Sequence, residues 1–207
     1  MQLDFFGNHS RVLTDDDTGT IVYHPNAIDA ANARLLFDEL KDDVAWRQER
    51  RPMYDRDVDV PRLVASIPPA DAGALLRDAL ASAEKLSAAR FNSIGLNFYR
   101  DGRDSVAPHN DHLNELTAGA PITILSLGAV RRMTIRSKSR SARVLDLDLE
   151  PGSLIVMSYE TQRHYDHGIP KTKAAVGPRI SVAFRVRASK GGAVRAANCE
   201  SGGTHTE

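Results

Sequence analysis

Apolar residues recur at helical spacing twice in the first half of the chain. Over residues 27–40, Ala30, Leu36, Phe37 and Leu40 form one stripe, and Asn26 stands where a capping side chain would start the helix. Over residues 70–88, Leu75, Leu76, Ala79, Leu80, Ala83 and Leu86 keep the same period. A charged stretch lies between them, through Arg50, Arg51, Met53, Tyr54, Asp55 and Arg56 to Val60-Pro61-Arg62-Leu63. Beyond Phe91 the period falls to two: Ile94, Leu96 and Phe98 alternate with Gly95, Asn97 and Tyr99. Further short strands are predicted over residues 121–127, 132–137, 144–149, 153–158 and 179–187, separated by turn signals at Asp101-Gly102, Gly128 and Pro151-Gly152. Helices first and many short strands afterwards predict an α+β chain, mainly β: a two-sheet antiparallel jelly roll buttressed by N-terminal helices.

A length of 207 residues predicts one domain. Within it, residues 1–20 are polar, carry Asp15-Asp16-Asp17, and are expected to be an extended or poorly ordered lead-in. Residues 21–90 hold the helices and the charged stretch, 91–187 the β core, and 188–207 a tail rich in Gly, Ser, Ala and Thr that is predicted to be disordered. The single cysteine, Cys199, has no intrachain partner, which excludes disulfides and suits a reducing cytoplasm. No signal-peptide pattern and no long apolar run occur, so neither export nor membrane insertion is expected, and nothing suggests an obligate interface: a cytoplasmic monomer is the expectation.

The 27 basic and 27 acidic residues cancel, which argues against nucleic-acid binding through bulk charge. The distribution is uneven, however. Arg131, Arg132, Arg136, Lys138, Arg140 and Arg143 follow one another with no acid between them. Such a strip is either a solvated hairpin or a contact for a phosphate backbone, and the chemistry beside it favours the second.

That chemistry begins at His109-Asn-Asp111. On an extended segment the imidazole and the carboxylate point the same way and Asn110 faces away. A further histidine would complete a set of two imidazoles and one carboxylate, which suits ferrous iron with its opposite face open to a cosubstrate and dioxygen. Spacing leaves His164 and His167 both eligible; His112, directly after Asp111, should point off the ligand face. Downstream, Ile180, Val182, Phe184 and Val186 alternate with Arg179, Ser181, Ala183, Arg185 and Arg187. The polar face of that strand is either solvent-exposed or interior. If interior, its arginines need an anion, and a dicarboxylate matches guanidinium geometry.

From Phe91 to Arg187 the chain resembles the AlkB family of Fe(II)/2-oxoglutarate-dependent dioxygenases. The resemblance is carried by Phe91-Asn-Ser-Ile-Gly-Leu-Asn97-Phe-Tyr99-Arg-Asp-Gly102, His109-Asn-Asp111, Pro121-Ile-Thr-Ile-Leu-Ser-Leu-Gly128, Gly152-Ser-Leu-Ile-Val-Met157, His164-Tyr-Asp-His167-Gly-Ile-Pro170 and the run from Pro178-Arg179 to Arg185. It covers about half the chain, and the Met53 to Leu63 region is similar to the family's substrate lid. The resemblance implies a double-stranded β-helix (jelly-roll) core, with His109, Asp111 and His167 as iron ligands. It implies that Asn97 and Tyr99 hydrogen-bond 2-oxoglutarate, that Arg179 pairs with the distal carboxylate and Arg185 lies nearer the iron, and that Ser181 stands where many relatives have Asn. The implied reaction uses Fe(II), 2-oxoglutarate and O2 to demethylate alkylated DNA bases, RNA being the other polymer in question, and releases formaldehyde, succinate and CO2.

Substrate contacts are expected from Tyr54 as a stacking group with Met53 beside it, from Leu113, and from Arg131, Arg132 and Arg136. Core packing would explain Tyr54 as well. Leu113 departs from relatives that act on cationic bases, which commonly place an acid two residues after the ligand Asp; a leucine cannot stabilise a cation. That departure keeps a second reading open, a related oxygenase acting on a small molecule or protein side chain. A third, a non-catalytic module recognising modified nucleic acid, has no use for a cosubstrate clamp.

Overall fold

A computed structural model describes residues 9–53, 56–139 and 144–188. Tyr54, Arg140, Arg143, the start of the lead-in and residues 189–207 of the predicted tail lie outside the described residues, as does the side chain of Met53. The strands are β1 (Arg11–Asp16), β2 (Gly19–His24), β3 (Arg47–Met53), β4 (Arg56–Ile67), β5 (Ser93–Tyr99), β6 (Val106–His109), β7 (Ile122–Gly128), β8 (Arg131–Ser137), β9 (Val144–Leu149), β10 (Leu154–Met157), β11 (Tyr165–Ile169) and β12 (Arg179–Arg185). The helices are α1 (Ala30–Asp43), α2 (Ala74–Ser87) and a single turn, α3 (Thr161–His164). The larger sheet runs β1-β2-β10-β7-β12-β5-β4-β3 and the smaller β6-β11-β8-β9. This is the jelly roll that the pattern predicted.

Strands β7 and β12 sit at the centre of the large sheet and are buried on both faces, because helices cover one side and the small sheet the other. On the helix side, Leu125, Leu127, Ile180, Val182 and Phe184 pack against Ala33, Leu36 and Leu40 of α1 and Leu76, Ala79 and Ala83 of α2. On the inner side, Ile122, Ile124 and Ala183 meet Met133 and Ile135 of β8 and Leu147 and Leu149 of β9. The helices thus brace the sheet from behind and leave its inner face to the site.

Several boundaries differ from expectation. Residues 11–24 form a hairpin rather than a loose lead-in, and β2 pairs with β10 along its length. Helix α1 is capped by Asp29, whose Oδ1 accepts from the Asn32 N–H at 2.9 Å, whereas Asn26 takes a left-handed turn conformation (φ 51°) outside the helix. A 3-10 turn at Pro69–Asp71 precedes α2, which therefore starts at Ala74. The charged stretch is a long hairpin, β3–β4, added to the edge of the large sheet through β4–β5 pairing.

Candidate active site

Strand β6 lies against β11 so that His109 stands opposite His167 in register. Gly168 permits that approach: a Cβ there would lie 2.8 Å from the Val106 carbonyl oxygen. The two imidazole centroids are 4.6 Å apart. Asp111, just past the end of β6, turns back toward them, and one ligand atom from each of His109, Asp111 and His167 lies within 4.8 Å of the others. His109 is exposed, Asp111 half-buried and His167 buried. His109 Nδ1 lies 3.0 Å from the Ala107 carbonyl oxygen; an Nδ1–H donating there leaves Nε2 free as a ligand.

The protonation states suit a cation. Burial pushes the His167 imidazole down to about 3, so it stays neutral near pH 7. For Asp111, burial raises the carboxyl, but the Arg185 charge and hydrogen bonds outweigh it and leave the group below its ordinary value. Arg185 reaches Asp111 through Nε–Oδ2 at 2.7 Å and Nη2–Oδ1 at 3.2 Å. His164, the rival for the third position, ends α3 exposed and outside this set, and His112 is likewise not part of it.

The polar face of β12 is interior. Register places Ser181 between Asn97 of β5 and Ser126 of β7, and Arg179 between Tyr99 and Gly128. Arg179 is 1% exposed, donates from Nε to Ser126 Oγ at 2.9 Å, and leaves Nη1 and Nη2 with no hydrogen-bond partner. Its Cζ lies 5.1 Å from the Tyr99 ring centroid. Burial lowers the guanidinium's pKa by penalising its charged form, as expected of a buried cation missing its anion. A carboxylate from a bound dicarboxylate would satisfy both orphaned nitrogens, so the residues present fit 2-oxoglutarate. Beside it, Asn97 Oδ1 accepts from Arg62 Nε at 2.7 Å and its Nδ2 donates to Ser181 Oγ at 3.3 Å, which orients the amide. Ser126 and Arg62 were not singled out by sequence. Ser126 could have been found as the polar residue on the inner face of β7.

The triad, Asn97, Tyr99, Arg179, Ser181 and Arg185 all line one cleft of about 1640 Å³, walled on one side by the β3–β4 hairpin. The expected substrate contacts fare differently. Arg131 is 3% exposed and spends its donors on the carbonyl oxygens of Asp101, Asp104 and Pro170, so it supports the fold rather than a substrate. Arg132 and Arg136 point from the opposite face of β8, away from the cleft, and Arg132 is paired with Asp148 at 3.0 Å. Leu113 is half-buried in a 3-10 turn and does not line the cleft; Glu115 does, paired with Arg187.

Residues 68–185 match the family described as the 2OG-Fe(II) oxygenase superfamily. The DNA oxidative demethylase ALKBH2 of Bos taurus is 37% identical over 102 residues, covering 46% of this chain and 37% of that protein. The alpha-ketoglutarate-dependent dioxygenase alkB homolog 3 of Mus musculus is 27% identical over 204 residues, covering 88% of this chain and 71% of that one. The match thus spans well under half the length of the ALKBH2 relative. Among solved structures, the non-heme alpha ketoglutarate dependent epimerase SnoN superposes with a TM-score of 0.60 at 14% identity, over 82% of this chain and 79% of that one, a likeness of fold. The AlkB homologues bear out the resemblance read from the motifs, and with more than half its length matched the chain belongs to the 2OG-Fe(II) oxygenase superfamily.

Proposed function

We propose that this chain is an Fe(II)/2-oxoglutarate-dependent dioxygenase that removes alkyl groups from nucleobases, DNA being the leading polymer and RNA the other. The observation that carries the reading is Arg179, a buried guanidinium with two orphaned nitrogens sharing one cleft with a two-histidine, one-carboxylate cluster. When bound, the metal supplies oxygen activation, coupling decarboxylation of 2-oxoglutarate to oxidation of the alkyl carbon. One oxygen atom enters succinate and the other the methyl carbon, and the hydroxymethyl amine so formed expels formaldehyde and regains N–H.

In this scheme His109, Asp111 and His167 hold the metal, and Arg185 keeps Asp111 ionised. Arg179 takes the distal carboxylate, while Arg62 and Ser181 fix the amide of Asn97 beside it. The inner-face packing of Ile124, Met133 and Leu116 excludes water from the floor of the cleft. Among the described residues, Arg47, Arg62 and Lys171 line the cleft without a carboxylate partner, which supports a polyanionic substrate. Exposed large apolar side chains (Val12, Leu35, Leu86, Val130, Val144) come from separate parts of the chain, in keeping with a monomer, and the cytoplasm remains the proposed compartment. No described helix is long and apolar enough to cross a membrane.

A second reading, an oxygenase of small molecules or protein side chains, is favoured by one observation. Among the described residues, every acid lining the cleft is already ion-paired: Glu49 with Arg51, Asp59 with Arg50, Asp111 with Arg185, Glu115 with Arg187, Asp166 with Lys138. A cationic base therefore meets no uncompensated carboxylate among the described residues. Incubation of the protein with iron, 2-oxoglutarate and oligonucleotides carrying methylated or etheno bases tests the choice by mass spectrometry. Loss of the alkyl group with formaldehyde release supports the first reading. Succinate formation that no oligonucleotide stimulates would favour the second.

A further inference from the structure

Asp111 lies beyond the last residue of β6, so no ladder hydrogen bond holds it against the two histidines. Its peptide N–H donates instead to Gln162 Oε1 at 3.0 Å. Gln162 is 1% exposed, and its amide orientation is set: Nε2 donates to Thr161 Oγ1 at 3.1 Å, and that hydroxyl donates to the Ser158 carbonyl at 2.6 Å. The acceptor oxygen of a buried amide is thereby aimed at the ligand loop.

Lys138, just past β8, closes the arrangement. Its ammonium donates to Asn110 Oδ1 at 2.9 Å and to the Gln162 carbonyl at 3.0 Å, and stands 3.4 Å from Asp166 Oδ1. Its backbone N–H donates to the His164 carbonyl at 2.8 Å. Asn110 separates His109 from Asp111, and Asp166 immediately precedes His167. One ammonium therefore touches both ligand-bearing segments. The sequence places Lys138 in a basic strip suited to phosphate, yet its side chain, still 33% exposed, directs its ammonium onto the ligand loop.

We propose that Lys138 and Gln162 form a polar clamp that fixes the spacing of His109, Asp111 and His167, making both positioning residues for the metal centre. The inference rests on the metal-binding reading above. Ligand side chains on a loop and a strand keep a common geometry only if partners behind them lock the backbone, and such partners typically carry about 10- to 100-fold in metal affinity. A purely structural role would lower stability without altering how the metal is held.

The test uses the full chain with Mn(II) and Co(II) alone. Mn(II) affinity is measured for wild type, Lys138→Met, Lys138→Arg and Gln162→Met, with the visible Co(II) absorption band as a reporter of ligand geometry and the Tm of each metal-free protein alongside. Lys138→Met and Gln162→Met are expected to weaken Mn(II) about 10- to 100-fold and to alter the Co(II) band, with metal-free Tm little changed for Lys138→Met. Lys138→Arg, which keeps a cationic donor, should recover most of the affinity. If Gln162→Met does not fold, Lys138→Met decides. Wild-type affinity and an unchanged Co(II) band in Lys138→Met would overturn the clamp, as would affinity losses that only follow a collapse of metal-free stability. Failure of wild type itself to bind Mn(II) would instead overturn the metal reading, so the two failures are distinct.

Discussion

Arg179 is tethered to Ser126 by one 2.9 Å hydrogen bond, and this contact holds a fully buried guanidinium with its two terminal nitrogens unspent. The sheet supplies the setting. Tyr99 and Gly128 flank Arg179 across β5 and β7, and Gly128 adopts φ 80° where a Cβ would lie 2.5 Å from the Pro178 carbonyl oxygen. An unpaired buried cation is a standing cost to the empty protein and a receptor for a carboxylate.

Arg179→Met should therefore move two quantities in opposite directions. Affinity for 2-oxoglutarate falls tenfold or more, a loss of roughly 1.5–3 kcal/mol for a charge-assisted contact. The ligand-free protein gains stability, at roughly 2–4 °C of Tm for each kcal/mol recovered. Calorimetric titration and thermal melts check both, and unchanged affinity would place no carboxylate at this guanidinium.

Arg62→Met frees the Asn97 amide to rotate, since its oxygen loses the 2.7 Å donor. The KM for 2-oxoglutarate is expected to rise about 3- to 10-fold, the worth of one hydrogen bond near 1 kcal/mol, with kcat little altered. Steady-state kinetics at saturating oxygen separates the two. A fall in kcat alone would place Arg62 on the substrate side only.

Backbone binding should follow the cleft wall rather than the outer sheet. Arg132→Ala and Arg136→Ala are expected to leave single-stranded DNA affinity unchanged, because both lie on the outer face and Arg132 already faces Asp148. Arg47→Ala should weaken binding and reduce the salt dependence by about one phosphate's worth. Fluorescence anisotropy across a salt series reads both.

Acid should destabilise the metal-free protein in a defined window. His167 has its pKa lowered to about 3 from 6.5, so its unfolded form takes up a proton first; its stabilising contribution is complete above pH 6.5 and is lost as pH falls toward 3. Asp111, also lowered, adds loss below its ordinary value of 3.8. Denaturant melts of wild type and His167→Gln between pH 7 and 4 should converge as the pH falls, and parallel curves would contradict the assignment.

Much of this was legible in the chain. Strict alternation marked β5 and β12, and it correctly separated Ile180, Val182 and Phe184 from the face carrying Arg179. What periodicity could not tell was which face met solvent, because a polar row lining a cleft reads like a polar row on a surface. The same ambiguity hid β3 and β4: the hairpin has polar residues on both faces, since one borders water and the other an open cleft. It also misplaced Arg131, whose carbonyl partners come from segments far apart in sequence. The ligand histidine was ambiguous by spacing and was chosen by the family resemblance; the structure places that residue, His167, opposite His109 in register, a relation between strands that neither sequence segment carries alone. Asn26 lost the capping role to Asp29 because a left-handed turn intervenes.

The account stands most directly on succinate formation from 2-oxoglutarate by the purified full chain supplied with ferrous iron and oxygen. Wild type should produce succinate, and both His109→Ala and Asp111→Ala should reduce it to the level of a metal-free control. Full turnover in either variant would contradict the assignment of His109 and Asp111 to the iron.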